Sequence, residues 1–394
     1  MRLDLLSTLT DERGPFVTVC HDVSRLDTSG AQQLKVRWEA AVRQLTQQGA
    51  EPQTVEIVGE RALARTDRSG RVGRHIVARG DQVLLDVVLP EPPLRDEARF
   101  GAVPDLLPIF RSLASSAPYA VVRLDRLGAD VEVVGLLGDT AEQESVQGTE
   151  DIVHKFGGGG WAHRRFQQRI EDSWQRNAAQ VAHELENLLR QHHPRLVLVL
   201  GDPQAIHALH TSASHELAER LVRLDTGGRA DGTSAEREQQ AIDEAVAAHA
   251  RGVRQQLLDR YTAAFARQQE ALDGRDAVVD ALRRGQVEEL ILRDDPGSTA
   301  RLWVGEQALQ IGMTREDAVT AGADDPRQEP AHEVLVWAAL CSGAGVTVLH
   351  ADESGPAHLT EGVGALLRWS DPSTPHSGLP SMPGHGQGPG TTAG

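Results

Sequence analysis

The segment IVHKFGGGGWAHRRFQQRI, residues 152–170, is chemically unlike the rest of the chain. It carries Lys155, Arg164, Arg165 and Arg169 and no acid, in a protein of formal net charge −17. Gly157, Gly158, Gly159 and Gly160 run without interruption into Trp161. Glycine lets a backbone approach a ligand closely or take conformations closed to other residues. Guanidinium groups pair with phosphate bidentately and stack on bases, and an indole offers a stacking face. Basic residues at a helix start oppose the helix dipole, so something other than helix stability favours them. The pattern predicts a glycine-tipped loop contacting RNA through Lys155, Gly157–Gly160, Trp161, His163, Arg164, Arg165 and Arg169. The plainer alternative is a flexible loop ahead of a basic helix start.

Other chemistries find less support. A Walker loop needs Lys and Ser or Thr after its last glycine, whereas Trp161 and Ala162 follow Gly160. A dinucleotide loop needs spaced glycines after a strand. No GxSxG elbow occurs. His21–Asp22 is a dipeptide without a nucleophile. His207, His210 and His215, and the pair His192–His193, match no HExxH-type pattern, so no metal is expected. Cys20 and Cys341 sit in apolar runs (FVTVC and VWAALC) and suit small buried hydrophobes in a reducing cytoplasmic compartment. No cofactor signature emerges.

The 394 residues hold 40 basic and 57 acidic side chains. That balance excludes nucleic-acid binding over the whole surface but leaves room for a local basic site. Only Lys35 and Lys155 are lysines, which points to a GC-rich coding sequence. No stretch approaches the roughly 18 continuous apolar residues of a membrane helix. Asp4, Asp11 and Glu12 stand where a secretion signal would be apolar, so neither membrane nor secretion is expected.

The elements that position the basic segment follow from periodicity. Residues 1–145 read as mixed α/β. PFVTVC is a strand, and Leu34, Trp38, Val42 and Leu45 stripe a helix over 30–48. TVEIV, RHIVA and QVLLDVVL are strands, and 119–124 with 130–137 form a hairpin. The acidic stretch 139–151 breaks the pattern and predicts a domain boundary. In 150–271, Ile170, Trp174, Ala178, Val181, Leu185 and Leu188 mark a long amphipathic helix over 164–190. LVLVLG (196–201) is a strand buried on both faces. A second long helix, about 235–270, shows Ile242, Val246, His249, Val253, Leu257, Tyr261 and Phe265 on one face. In 272–370, VEELIL and ARLWVG are strands, HEVLVWAALCSG a helix, and GVTVLH and GVGALLRW close the unit. The tail 371–394 is rich in Pro, Gly and Ser and predicts disorder. The fold class is α/β, in three consecutive α/β domains with long amphipathic helices in the middle one.

GGGGWAHRRFQQRIEDSW resembles the start of the middle domain of the eukaryotic and archaeal class-1 peptide-chain release factors. There a GGQ loop precedes a helix opening on Arg-Phe-x-Arg, and Arg165, Phe166 and Arg169 stand at the corresponding positions. LRRGQVEELILRDD (282–295) resembles the opening of the release-factor third domain, and GVGALLRW its close. The resemblance covers roughly 150–370, in the right order. It departs at one point: Trp161 stands where the catalytic glutamine of GGQ belongs. Nor does 1–145 contain an NIKS-like stop-codon motif. Within the Pelota-like superfamily, a member with this shape resembles the bacterial Balon ribosome hibernation factors. That resemblance implies a non-catalytic, cytoplasmic stress factor in the vacant A site, bound to 16S rRNA near the decoding centre and to 23S rRNA near the peptidyl transferase centre. It implies delivery with elongation factor Tu, no cofactor and no DNA. The alternative is a peptidyl-tRNA hydrolase or tRNA-cleaving relative, with His154 and His163 nearest for acid–base work. An unrelated cytoplasmic α/β scaffold is the third reading.

Overall fold

The computed structural model describes residues 4–24, 30–66, 68, 70–125, 128–147, 161–225, 235–267, 269–350, 353, 355–356, 358–371 and 374, without the side chains of 4, 5, 7, 147 and 161–174. The chain forms two compact units, one of Val17–Phe100 with Leu107–Leu257, the other of Met1–Phe16, Gly101–Leu106 and Leu258–Gly394. Both are mixed α/β.

The first unit opens with β1 (Phe16–Asp22), α1 (Gly30–Gln47), α2 (Pro52–Leu63), β2 (Gly73–Arg79), β3 (Gln82–Leu89) and β4 (Glu97–Gly101), its sheet ordered β3-β2-β1-β4. Val17, Val19, Ile76 and Ala78 alternate onto one face and meet Leu45, Val55 and Val58 of the two helices. The helix spacing expected over 30–48 is there: Leu34 and Leu45 are buried, and Trp38 and Val42 pack against this core. The segment TVEIV is not the expected strand but part of α2. Its buried positions, Thr54, Val55, Val58, Gly59 and Ala62, recur at helical spacing, and Pro52 fits the first helical turn.

The same unit continues with α3 (Leu107–Ala114), β5 (Tyr119–Leu124), β6 (Gly128–Val134), β7 (Thr140–Gln147), α4 (Trp161–His192), β8 (Leu196–Gly201), α5 (Pro203–Ser212), α6 (His215–Arg220), β9 (Leu221–Arg223) and the start of α7 (Ala235–Ala266). A five-stranded sheet, β7-β6-β5-β8-β9, binds them. The expected hairpin is β5–β6, antiparallel from Tyr119↔Val134 to Leu124↔Ala129. LVLVLG is β8, with Leu196 to Leu200 all buried, and it pairs with β5 in parallel. The stretch expected to be a boundary is instead β7, an edge strand paired only with β6. An edge strand with solvent on its flank tolerates the polar sequence TAEQESVQ. Because β5, β6 and β7 share a sheet with β8, this α/β layer begins near residue 118, not at 150. On α7, Ile242, Val246, Ala250, Leu258 and Tyr261 are buried while Val253 is 54% exposed, so the apolar stripe runs through Ala250 and Leu258 rather than through Val253.

In the second unit, β10 (Ala271–Asp273), α8 (Arg275–Arg283), β11 (Val287–Arg293), β12 (Arg301–Val304), β13 (Ile311–Gly312), α9 (Arg315–Thr320), β14 (Arg327–Pro330), α10 (Ala331–Cys341), β15 (Gly345–Leu349) and β16 (Val363–Leu367) form two sheets, β10-β16-β11-β15 and β13-β12-β14. α10 is apolar nearly all round, and its residues from Val334 to Leu340 are buried. Tyr261 lies near the end of the buried stripe of α7, followed by Ala264. Its fully buried hydroxyl lies 3.0 Å from the Leu272 carbonyl and 2.7 Å from that of His358. Order extends into the segment expected to be disordered. Thr374 is 3% exposed, and its hydroxyl accepts from Gln286 Nε2 at 2.9 Å and from the Asp371 amide at 2.8 Å. The remainder of the tail lies outside the described residues.

Candidate RNA interface

The basic segment is bracketed by β7 and α4. β5 and β8 are parallel, and β6 runs against both β5 and β7. β5, β7 and β8 therefore point one way, and Leu124, Gln147 and Gly201 end on one edge of the sheet. β7 ends at that edge with Gln147, and α4 starts at Trp161, directly after the glycine run.

That edge is built from close backbone packing. Gly201 has φ 129°, and a Cβ there would sit 1.8 Å from the Leu124 carbonyl oxygen, so only glycine lets β8 cross β5 at this point. The Asp202 amide donates to the same carbonyl at 3.2 Å. The Asp202 carboxylate caps α5 by accepting from the Gln204 amide at 2.8 Å, ahead of Pro203 in the first turn. Asp125 closes the β5–β6 turn: its carboxylate accepts from the Gly128 amide at 2.9 Å. Against this rim lie Asn177, Ala178 and Val181 of α4, around a small cavity shared with Leu124 and Ala205.

Asn177 is the first buried residue described on α4, and Gln175 and Arg176 are exposed. From there Ala178, Val181, Ala182, Leu185, Leu188 and Leu189 fill the core with β5, β6 and β8. At the far end His192 Nε2 lies 2.6 Å from Glu142 Oε2 of β7, and the Ser214 amide donates to Glu186 at 3.2 Å. The second half of α4 is thus an anchor. The sixteen steps from Trp161 to Asn177 span about 24 Å along the helix axis.

On the opposite sheet face, Arg123 clamps α7 to the hairpin. Its Nε donates to Glu238 at 2.6 Å and its Nη1 to Glu132 at 3.2 Å. Tyr119, also on β5, has its phenol pushed up to about 12 by burial, reinforced by Asp243 and Glu132.

Of the expected RNA-binding residues, Lys155 and Gly157–Gly160 lie outside the described residues. Trp161, His163, Arg164, Arg165 and Arg169 fall in the opening turns of α4, with their side chains outside the description. By helix period Arg165 and Arg169 occupy one face. The expectation that Phe166, Ile170 and Trp174 pack inward falls on the same undescribed side chains.

The histidines behave as surface or packing groups. His207, His210 and His215 are exposed, and His215 pairs with Glu219 at 3.2 Å. His193, at φ 49°, ends α4. His21 is 1% exposed, and burial lowers its pKa below 6.5. Asp22 is committed elsewhere: it accepts from the Ser24 amide at 2.8 Å and pairs with Arg37 at 3.3 Å, and Arg37 also reaches Asp96 at 3.3 Å. Asp22 thus belongs to an end-of-strand polar network with Ser24, Arg37 and Asp96. Cys20 is buried, and burial, with Asp11 nearby, pushes the Cys341 thiol up to about 12. Asp105, His332 and Glu333 do gather, in the second unit, with donor chemistry suited to a metal. Their separation in sequence leaves no motif by which to find them.

Comparison with known proteins falls on the same sheet. The family model for bacterial archaeo-eukaryotic release factor family 2 matches residues 118–267, from β5 through α7. An uncharacterized protein of Mycobacterium tuberculosis, strain CDC 1551 / Oshkosh, is 27% identical over 380 residues, 94% of this chain and 97% of the relative. An uncharacterized protein of strain ATCC 25618 / H37Rv matches to the same extent. Among solved structures, the chain is similar to Archaeoglobus fulgidus Pelota (14% identity, 78% of this chain and 87% of that chain, TM-score 0.34). It is also similar to Saccharomyces cerevisiae Dom34, a translation termination-like factor (12% identity, 77% and 81%, TM-score 0.37). A model of ribosome-bound archaeal Pelota and ABCE1 aligns at 14% identity over 93% of each chain, with TM-score 0.38. The family match begins at residue 118, one residue before β5.

Proposed function

We propose that this chain is a ribosome-associated translation factor of the release-factor type, acting as a hibernation or stress factor rather than a hydrolase. The observation that carries this is the placement of the glycine run. It lies within the span matched by the release-factor family model, directly before a helix whose second half packs in the core and whose start lies about 24 Å along the axis from Asn177.

The physical logic has three parts. Anchored helix and strand edge form a stiff arm, so the loop enters a narrow cavity without the ordering cost of a long flexible segment. The four glycines present backbone amides at close range, and Lys155, Arg164, Arg165 and Arg169 neutralise rRNA phosphates. The surrounding charge of −17 keeps general nucleic-acid affinity low, so affinity arises where a cavity takes the loop. Trp161, in the place of the glutamine, has no amide with which to orient water against an ester, so the loop occupies the peptidyl transferase centre without releasing peptide. The vacant A site is the position that brings the loop there while the remaining domains face the decoding centre and elongation factor Tu.

The test is sedimentation of the protein with 70S particles over a salt series. The wild-type chain is expected to co-sediment with vacant ribosomes. Deletion of 157–160, and Arg164→Glu with Arg165→Glu, are expected to weaken binding, each lost phosphate contact flattening the log–log salt slope by about one unit. Peptidyl-tRNA hydrolysis is measured beside it. Equal binding by wild type and both variants removes the loop from the interface. Multiple-turnover hydrolysis abolished by His163→Ala replaces this function with the hydrolase.

A further inference from the structure

Within the second unit, Asp105 in the stretch Gly101–Leu106 meets the opening turn of α10, where His332 and Glu333 are consecutive. One ligand atom of each lies within 4.8 Å of the other two. His332 Nε2 is 3.8 Å from Glu333 Oε1. Asp105 is 5% exposed and Glu333 1%, whereas a third of the His332 side chain is open to solvent.

Two carboxylates and an imidazole gathered largely out of water offer a cation three donor atoms in one place. One imidazole nitrogen with two carboxylate oxygens suits the borderline and hard divalent ions, zinc, manganese or iron, and the absence of a thiolate disfavours softer ones. Metal–ligand bonds of about 2.0–2.2 Å set donor atoms of one site roughly 3–4 Å apart, so small side-chain rotations close this triad on an ion. The partly open imidazole supplies the entry path. The backbone around the triad is already fixed: the Ala102 amide donates to Glu329 Oε1 at 2.8 Å, and the Ala331 amide donates to the Ala300 carbonyl at 2.9 Å.

We propose that Asp105, His332 and Glu333 bind a divalent first-row metal ion, which ties the stretch 101–106 to the first turn of α10 and leaves coordination positions for water or an external oxygen ligand. The competing role for Asp105 is capping α10, whose N-cap residue Pro330 makes no side-chain capping bond. Asn caps as well as Asp does but lacks the charge, which separates the two roles.

The full chain, stripped with chelator, is titrated with Zn²⁺ by calorimetry, and with Co²⁺ as a spectroscopic probe. Thermal melts are taken with and without Zn²⁺. The wild type is expected to take up one tight equivalent, to show Co²⁺ ligand-field bands, and to melt higher with metal. His332→Ala, His332→Gln and Asp105→Asn are expected to lose at least about a hundredfold in affinity, beyond the usual tenfold to hundredfold cost of disturbing an outer partner. Their metal-free melting should stay within a degree or two of wild type. Sixteen histidines provide weak background sites, so the difference between wild type and variants is the readout. Coincident isotherms and spectra for wild type and the His332 variants overturn the site. So does Zn²⁺ affinity unchanged in Asp105→Asn, the result expected if Asp105 only caps α10. Neither result depends on ribosome binding.

Discussion

Gly201→Ala is expected to be among the most damaging single substitutions in the chain, although it adds one methyl group. The new Cβ would stand 1.8 Å from the Leu124 carbonyl oxygen, against an ordinary contact of 3.4–4 Å, so β8 and β5 must part by well over an ångström. That movement breaks the bond from the Asp202 amide to Leu124 and tilts the capped start of α5. A residue forced to φ 129° also carries about 1–3 kcal/mol of backbone strain. Overpacking adds about 1–3 kcal/mol. The sum, about 2–6 kcal/mol, is comparable to the whole stability of many domains. Gly252→Ala is the matched control. Gly252 is an exposed helical glycine of α7 with nothing near its Cβ position, so alanine should stabilise by roughly 0.5–1 kcal/mol. Urea titration with hydrogen exchange on peptides covering 119–124 and 196–201 reads both effects. A Gly201→Ala protein within 1 kcal/mol of wild type and with unchanged protection in those peptides would refute the reasoning. So would destabilisation by Gly252→Ala.

Folding stability should fall as pH drops below about 6.5. His21 has a folded pKa below its unfolded value, so the unfolded chain binds the proton first, and stability present above the unfolded pKa is lost on acidification toward the folded one. Asp96 at the start of β4, Arg74 of β2 and Arg37 of α1 face the ring. Thermal melts from pH 8 to pH 5 should therefore decline less steeply in His21→Leu, and equal slopes would count against it. Termination after Thr374 should leave melting unchanged. Termination after Ser370 strands Gln286, which is fully buried, and should cost about 1–3 kcal/mol, measured by the same melts. Cys341, with its thiol pushed up to about 12, should resist alkylation at pH 7.5 in the folded chain, whereas labelling at the rate of a free thiol would show its surroundings to be open.

What the sequence discloses here follows from how each element satisfies its hydrophobic needs. α4 and β8 are visible from spacing alone because one buries a single stripe and the other both faces. The strand β7 is hidden, since an edge strand needs little apolar surface, and its acidic residues read as a break. The helix α2 is masked by the β-branched run Thr54, Val55, Ile57 and Val58, although its buried residues keep helical spacing. The shared sheet of β5 and β8 is a long-range pairing across 77 positions, from Tyr119↔Leu196 to Leu124↔Gly201, that no local pattern reports. At the candidate interface, composition singles out 152–170, and the helix start at Trp161 fits it. The triad of Asp105, His332 and Glu333 is invisible, because only the tertiary fold joins its halves.

The anchoring described for the second half of α4 has a mechanical consequence. A rod held over its second half turns small errors at the clamp into large ones at the tip. With about 24 Å between Asn177 and Trp161, a tilt of roughly 10° at the clamp swings the helix start by about 4 Å, more than the length of a hydrogen bond. The methyl groups of Val181, Leu185 and Leu188 therefore set aim as well as stability. Trimming them should displace the start of α4 before it unfolds the domain.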